Sequence, residues 1–460
     1  MLKNYFQAVA LTFSFLIISS AHADVILHAF NWKYSEVANK AEEIAQLGYK
    51  KVLVSPAYKS TGDQWWSLYQ PQDYRVIDNR LGDTNDFKNM VKALKSVGVE
   101  TYADIVFNDM ANESLLRSDL NYPGNDVLNQ YASDQTKYQS LILFGDINQN
   151  LFSENDFFPA QCIHDYNNVD DVQHNRICGT PPDTGLPKLA YNDWVVSQQQ
   201  SYLKALKAIG VTGFRIDAAK HMTIEHLNKV FTPKITKNMH IFGELITSGG
   251  KESIEYKQFL APYLDRTDFS AYDFPLFSQI REAFSYNGSL NSLAEPKNDG
   301  HALDNSRAVT FVITHDIPMN AGFRYQIMNP TDETLASVYV LGRDGGVPLI
   351  YSDHNESHDN ARWQDFYKRK DIIGMIKFHN ATQGTQMHIL SHDDCSIVFS
   401  RGSKGVLAIN KCAQDKTVSL DFPSSGLKNG GVYQDMLSSD SQPLNEFVIH
   451  GRDARMWLLK

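Results

Sequence analysis

Apolar and polar positions along the chain repeat one pattern: an amphipathic helical stretch, a glycine, then a short apolar run. Residues 36–47 lead through Gly48 to 51–54, residues 86–97 through Gly98 to 101–107, and residues 193–209 through Gly210 to 213–216. Glycine suits the left-handed position that ends a helix, and connections this short belong to βαβ units. Further apolar runs predict strands over 25–30, 240–243, 269–272, 308–314 and 347–351. Most of the eight lack strict alternation, as strands covered on both faces do. Together they predict an α/β protein built on a closed (β/α)8 TIM barrel. An open doubly wound sheet is the alternative, but the G-x-G-x-x-G fingerprint is absent.

The regularity breaks twice. About 80 residues rich in Asn, Asp and Pro, 109–190, follow the third strand and read as a domain B inserted from a βα loop. Beyond about Gly384 the helical period gives way to short runs at 396–400, 405–409, 417–422 and 455–459, parted by turn residues. These predict a C-terminal antiparallel β-sandwich over 384–460. Residues 24–108 and 191–383 are then the two parts of the barrel.

The first 23 residues read as a secretory leader. Lys3 precedes the apolar run 8–18, and Ala21-His22-Ala23 supplies an A-x-A cleavage site before Asp24. The run falls short of the ~20 residues a membrane span needs, and no later stretch is apolar for long enough. A secreted or periplasmic location is therefore expected, which permits disulfides. Cys162 and Cys178 lie 16 apart, Cys395 and Cys412 lie 17 apart, and over 200 residues separate the two pairs. Two local bridges are expected; no C-x-x-C spacing favours zinc. The net charge of −10, or −11 without Lys3, argues against nonspecific nucleic-acid binding. With 42% hydrophobic and 21% charged residues the chain is globular, and a neutral polymer remains open as a ligand.

Polar residues at the C-terminal ends of barrel strands point to the active-site face. Asp217 ends the fourth strand, Glu244 the fifth, and Asp316 follows the seventh. Arg215, two residues before Asp217, shares its strand face and is expected to keep that carboxyl ionised. Glu244 lies in Ile-Phe-Gly-Glu-Leu, an apolar string expected to raise its pKa toward that of a proton donor. One ionised and one protonated carboxyl is what retaining glycoside hydrolysis requires. His315 adds a donor beside Asp316. Trp65 and Trp66 lie between turn residues, in an expected loop, so at least one indole should face a ligand.

The strings Asp104-Ile-Val-Phe-Asn108, Gly213-Phe-Arg-Ile-Asp-Ala-Ala-Lys-His221, Gly243-Glu244 and Phe311-Val-Ile-Thr-His-Asp316 occur in this order. They resemble the four signature regions of the α-amylase family of glycoside hydrolases, and Trp65-Trp-Ser-Leu-Tyr-Gln-Pro71 resembles the family's sugar-stacking segment. The resemblance implies a secreted endo-acting enzyme that hydrolyses internal α-1,4 bonds of starch and related glucans with retention. Asp217 would be the nucleophile, Glu244 the acid/base and Asp316 the transition-state stabiliser. Arg215, His315, Tyr69, Trp65, Trp66, Asp104, Lys220 and His221 would contact the glucan. A glucanotransferase or oligosaccharide-trimming relative, or a silent carbohydrate-binding homologue, is the alternative. The chain is read as a monomer with no membrane or nucleic-acid partner.

Three departures from the family pattern stand out. Asn108-Asp109 replaces the usual Asn-His. Thr314 stands where chloride-dependent animal members carry Asn, and Gly346-Val-Pro-Leu-Ile-Tyr351 lacks their second Arg, so no chloride dependence is expected. Calcium is expected from the family, through Asn108 and the His221 carbonyl, together with a domain-B acid. At that last place the chain reads Gly185-Leu-Pro-Lys188, and Lys188 brings an ammonium where a carboxylate is needed. Asp183 is the alternative acid.

Overall fold

The computed structural model describes residues 25–460. The expected leader and Asp24 lie outside the described residues. Eight parallel strands close into a barrel: β1 (Ile26–Ala29), β2 (Lys51–Val54), β3 (Glu100–Ile105), β4 (Gly213–Ile216), β5 (His240–Gly243), β6 (Ser270–Tyr272), β7 (Ala308–Phe311) and β8 (Val347–Ser352). Each pairs with its neighbours in sequence, and β8 closes on β1. The apolar runs have the expected cause. Ile26, Leu27, Val52, Leu53 and Val54 are all fully buried, so both faces of these strands are covered. Each such side chain contributes about 1.5–3 kcal/mol relative to exposure.

Gly48, Gly98 and Gly210 take φ of +99°, +74° and +120°, the left-handed conformation that stops a helix before the next strand. Helix Asp193–Ile209 has the expected bounds, and Asn192 caps it by accepting from the Val195 N–H. The helix expected over 36–47 is instead two, Tyr34–Asn39 and Ala41–Gln46, broken at Lys40 with ψ near 4°. Asn39, a weak helix former, stands at the break.

Between β3 and helix Asp193–Ile209 the chain forms short helices and isolated bridges around the Cys162–Cys178 disulfide. Val127, Tyr131, Tyr138, Leu141 and Ile147 pack there with Val76 as a satellite core. The C-terminal residues form an antiparallel six-stranded sheet and a two-stranded ribbon, Lys416–Ser419 against Glu446–Ile449. Val398, Val406, Tyr433, Phe447 and Trp457 form a separate core here, and the second disulfide joins Cys395 to Cys412. The strand expected over 417–422 ends early, because Phe422 starts a short helix. Met387–His392, Val432–Asp435, Ser441–Pro443 and Glu446–Ile449 are strands that the pattern did not predict. They are short, and most carry exposed or partly exposed residues that dilute the apolar signal.

Candidate active site

The barrel brings four carboxyl groups to one guanidinium. Arg215, fully buried on β4, donates from Nη1 to both oxygens of Asp104 on β3, at 2.7 and 2.6 Å, and to Asp217 Oδ1 at 2.9 Å. Its Nη2 lies 2.8 Å from Glu244 Oε1 and 3.9 Å from Asp316 Oδ2. Strand alternation puts Arg215 and Asp217 on one face, as their spacing predicts. Glu244 Oε2 also accepts from the Ala218 N–H at 3.1 Å. Ala218 aims that N–H from a left-handed conformation, φ +46°, which costs a residue with a Cβ roughly 1–2 kcal/mol.

The apolar string around Glu244 does not describe its side chain, a correction to the sequence reading. Phe242 and Leu245 are buried, while Glu244 reaches into the barrel mouth and meets Arg215 and a backbone donor. Burial pushes Asp217 well above the usual carboxylate range, against Arg215. Burial and then the Glu244 charge do the same to Asp316. One guanidinium facing four carboxyls leaves the cluster short of positive charge, so it retains protons. Arg215 opposes the rise at Asp217 without cancelling it, a correction to the expectation that it keeps that carboxyl ionised.

Asp316 supplies a pH test. A carboxyl whose folded-state pKa exceeds its unfolded one binds more protons when folded. Its contribution favours folding below about pH 4, the unfolded value, and turns unfavourable as pH rises toward the folded value. Asp316→Asn should therefore raise the melting temperature at neutral pH, with the gain vanishing below about pH 4. Thermal melts across that range check it; a lower melting temperature at neutral pH would contradict it.

Above the carboxyls lies an open cavity of about 460 Å³. Trp65, Trp66, Tyr69, Lys220, His221 and His315 line it together with Asp217, Glu244 and Asp316. Trp65 and Trp66 sit on a 3-10 helix, Trp65–Tyr69, where a loop was expected. Trp66 is 46% exposed, while Trp65 packs toward Phe30, Tyr69 and His315. The His315 ring is sandwiched between Phe30 and Tyr69, at centroid distances of 4.7 and 5.1 Å. Burial and the Arg215 charge hold His315 well below its ordinary pKa, so the ring is neutral, with Nε2 3.4 Å from Asp316 Oδ1.

Two expected glucan contacts lie beneath the cavity wall. Asp104 is fully buried between Arg215 and the Tyr69 hydroxyl, which donates to it at 2.9 Å. Arg215 is sealed by the acids it holds. Neither lines the cavity. Sequence reasoning also missed Tyr166, Ile177, Leu186, Asn320 and Phe323, which lie on the wall. They come from irregular segments with no periodicity to mark them. A larger hollow of about 610 Å³ carries one carboxyl, Glu100, against four lysines, and offers no acid pair.

The calcium ligands that the resemblance implies do not fit the ion. Lys188 is fully buried, and its Nζ donates to Asn108 Oδ1 and to the His221 carbonyl, the latter at 2.7 Å. Asp183 is exposed and spends its carboxylate on the Gly179 and Gly185 N–H groups and on Asn112. Burial pushes the Lys188 amine down to about 7 and the Asp109 carboxyl up to about 7, each opposed by the other's charge.

A family model described as alpha amylase, catalytic domain, matches residues 34–268. An alpha-amylase from Aeromonas hydrophila is 53% identical over 428 residues, covering 93% of this chain and 92% of that one. The chain belongs to the alpha-amylase family. Its fold is similar to that of a Glu-to-Gln mutant of alpha-amylase I from Eisenia fetida in complex with maltohexaose, with a TM-score of 0.72 at 22% identity over 94% of each chain. A cyclomaltodextrin glucanotransferase with a three-domain ABC distribution matches with a TM-score of 0.67 at 19% identity, over 92% of this chain and 90% of that one.

Proposed function

We propose that the chain is an exported, endo-acting α-amylase that hydrolyses internal α-1,4 bonds of starch with retention. The observation that carries this reading is the Arg215 fork, with Asp217 on Nη1 and Glu244 on Nη2, and Asp316 at its edge. A pair held by adjacent nitrogens of one guanidinium is close-set, which suits direct attack by one carboxylate. Asp217 attacks the anomeric carbon while Glu244 gives its proton to the departing glycosidic oxygen. A glycosyl ester on Asp217 results, and the leaving chain departs neutral. Glu244, now a carboxylate, takes a proton from water, which attacks the same carbon and frees Asp217. Asp316, at the edge of the Arg215 fork, stabilises the oxocarbenium-like transition state.

Endo-action is supported by aromatic faces on separate walls: Trp66 from the segment after β2 and Tyr166 from the insertion, both nearly half exposed. Tyr69 and Lys220 complete the binding surface, and the ligand is a neutral glucan. Export is supported by the leader pattern and by the two disulfides. Among the described residues no helix is long and apolar enough to cross a membrane. Thr314 and the segment Gly346-Val-Pro-Leu-Ile-Tyr351 support activity without chloride.

Incubating the purified protein with soluble starch should release reducing ends, with a mixture of short oligosaccharides and early loss of viscosity. Products longer than the donor, or cyclic ones, would assign it to glycosyl transfer. Binding without new reducing ends would refute catalysis.

A further inference from the structure

In the sequence, Lys188 stands where a calcium-binding acid is expected, and the local fold drives its side chain inward. Gly185 turns the chain with φ +76°. The flanking backbone is then clamped on two sides. The Met110 N–H donates to Pro187 O, the Leu189 N–H to Asn108 O, and the Phe158 N–H to Lys188 O, at 3.0, 3.0 and 2.9 Å. A residue held this way has one direction left for its side chain. That direction is the gap between the end of β3 and the turn Ala219–His221 that follows β4.

Two oxygens in that gap accept from the amine, while the buried Asp109 Oδ1 has no hydrogen-bond partner. Asn108 Oδ1 accepts from Lys188 Nζ. The His221 carbonyl accepts from Nζ at 2.7 Å, while the Tyr191 hydroxyl, 3.3 Å away, gives its one proton to the Gln173 carbonyl. Asn108 Nδ2 in turn donates to Asp109 Oδ2 at 3.0 Å, and Nζ lies 5.8 Å from the Tyr191 ring centre. Calcium takes six to eight oxygens with carboxylates among them. Among the described residues no group of three or more His, Cys, Asp or Glu is placed to hold a metal.

We propose that Lys188 Nζ replaces calcium as the tie between the inserted segment and the barrel, so that the cleft assembles without the ion. The tie joins three pieces of chain: the end of β3 through Asn108, the returning segment through its own backbone, and the Ala219–His221 turn through the His221 carbonyl. That turn carries Lys220 and His221 on the cavity wall and begins two residues after Asp217. Lys188 is a positioning residue, acting on the glucan through the wall it fixes. Either protonation form of the amine supplies the two N–H groups that the contacts use.

The test is a set of melting curves of wild type, Lys188→Met and Lys188→Asp, each in EDTA and in millimolar calcium chloride, with magnesium as the control. The readout does not require catalysis, so it fails or succeeds separately from the proposed activity. Wild type should move by less than about 1 °C between conditions. Lys188→Asp should be destabilised in EDTA and gain more than about 3 °C in calcium, since an ion that binds only the folded state stabilises it. Lys188→Met should melt lower than wild type under every condition, with no rescue by calcium. On starch it should show KM raised about tenfold with kcat changed less than about threefold, the mark of lost binding geometry. If Lys188→Asp does not fold, the wild-type and Lys188→Met measurements still decide. A wild type that loses several degrees in EDTA and regains them with calcium but not magnesium would overturn the replacement. A Lys188→Met variant with unchanged stability and KM would overturn the tie.

Discussion

Asp217→Asn should abolish starch hydrolysis, with kcat falling on the order of 10⁴-fold or more, as for other residues that form the covalent bond. An amide is a poor nucleophile, and the site offers no substitute in its place. Glu244 is committed to Arg215 and the Ala218 N–H, and Asp104 is fully buried. The fold should persist, because Arg215 keeps two bonds to Asp104 and its contact with Glu244. Initial rates on starch, with circular dichroism as the folding control, check this. A loss below about 100-fold in a folded variant would remove Asp217 from the bond-forming role.

Glu244→Gln should cost roughly 10²–10⁴-fold on starch, the usual worth of general acid–base help. Its first step should fall less on an aryl maltoside with a good leaving group, because such a group departs with little protonation. Affinity for maltohexaose should be kept, since the carboxamide fills the same space and the aromatic wall is untouched. Equal losses on both substrates, with weakened binding, would mean that Glu244 supports the fold of the site and not the proton transfer.

The barrel was legible because burial on both faces turns each strand into an apolar run, and because glycine is needed where helices stop at Gly48, Gly98 and Gly210. The acids were legible for a related reason: strand ends fix where Asp217 and Glu244 emerge, and Asp316 follows the seventh strand. Their protonation was not. Sequence neighbours made Glu244 look apolar, whereas just past the strand end its side chain reaches into the barrel mouth to Arg215 and the Ala218 N–H. The role of Asp104 depends on Arg215 reaching across from the next strand, a contact over 111 positions in sequence that no local pattern encodes. The stack of Phe30, His315 and Tyr69 joins three distant segments in the same way. Tyr166 and Phe323 lie in irregular chain, where neither period nor capping marks a residue. Lys188 was legible as a departure, and the structure supplied the acceptors that explain it.

The double-displacement account is tested most directly by the anomeric configuration of freshly released products. Proton NMR of maltohexaose cleavage, recorded before mutarotation, should show the new reducing ends as the α-anomer, because two inversions at one carbon restore the starting configuration. New reducing ends that appear first as the β-anomer would mean that water attacks directly, and Asp217 would then be a base and not the nucleophile.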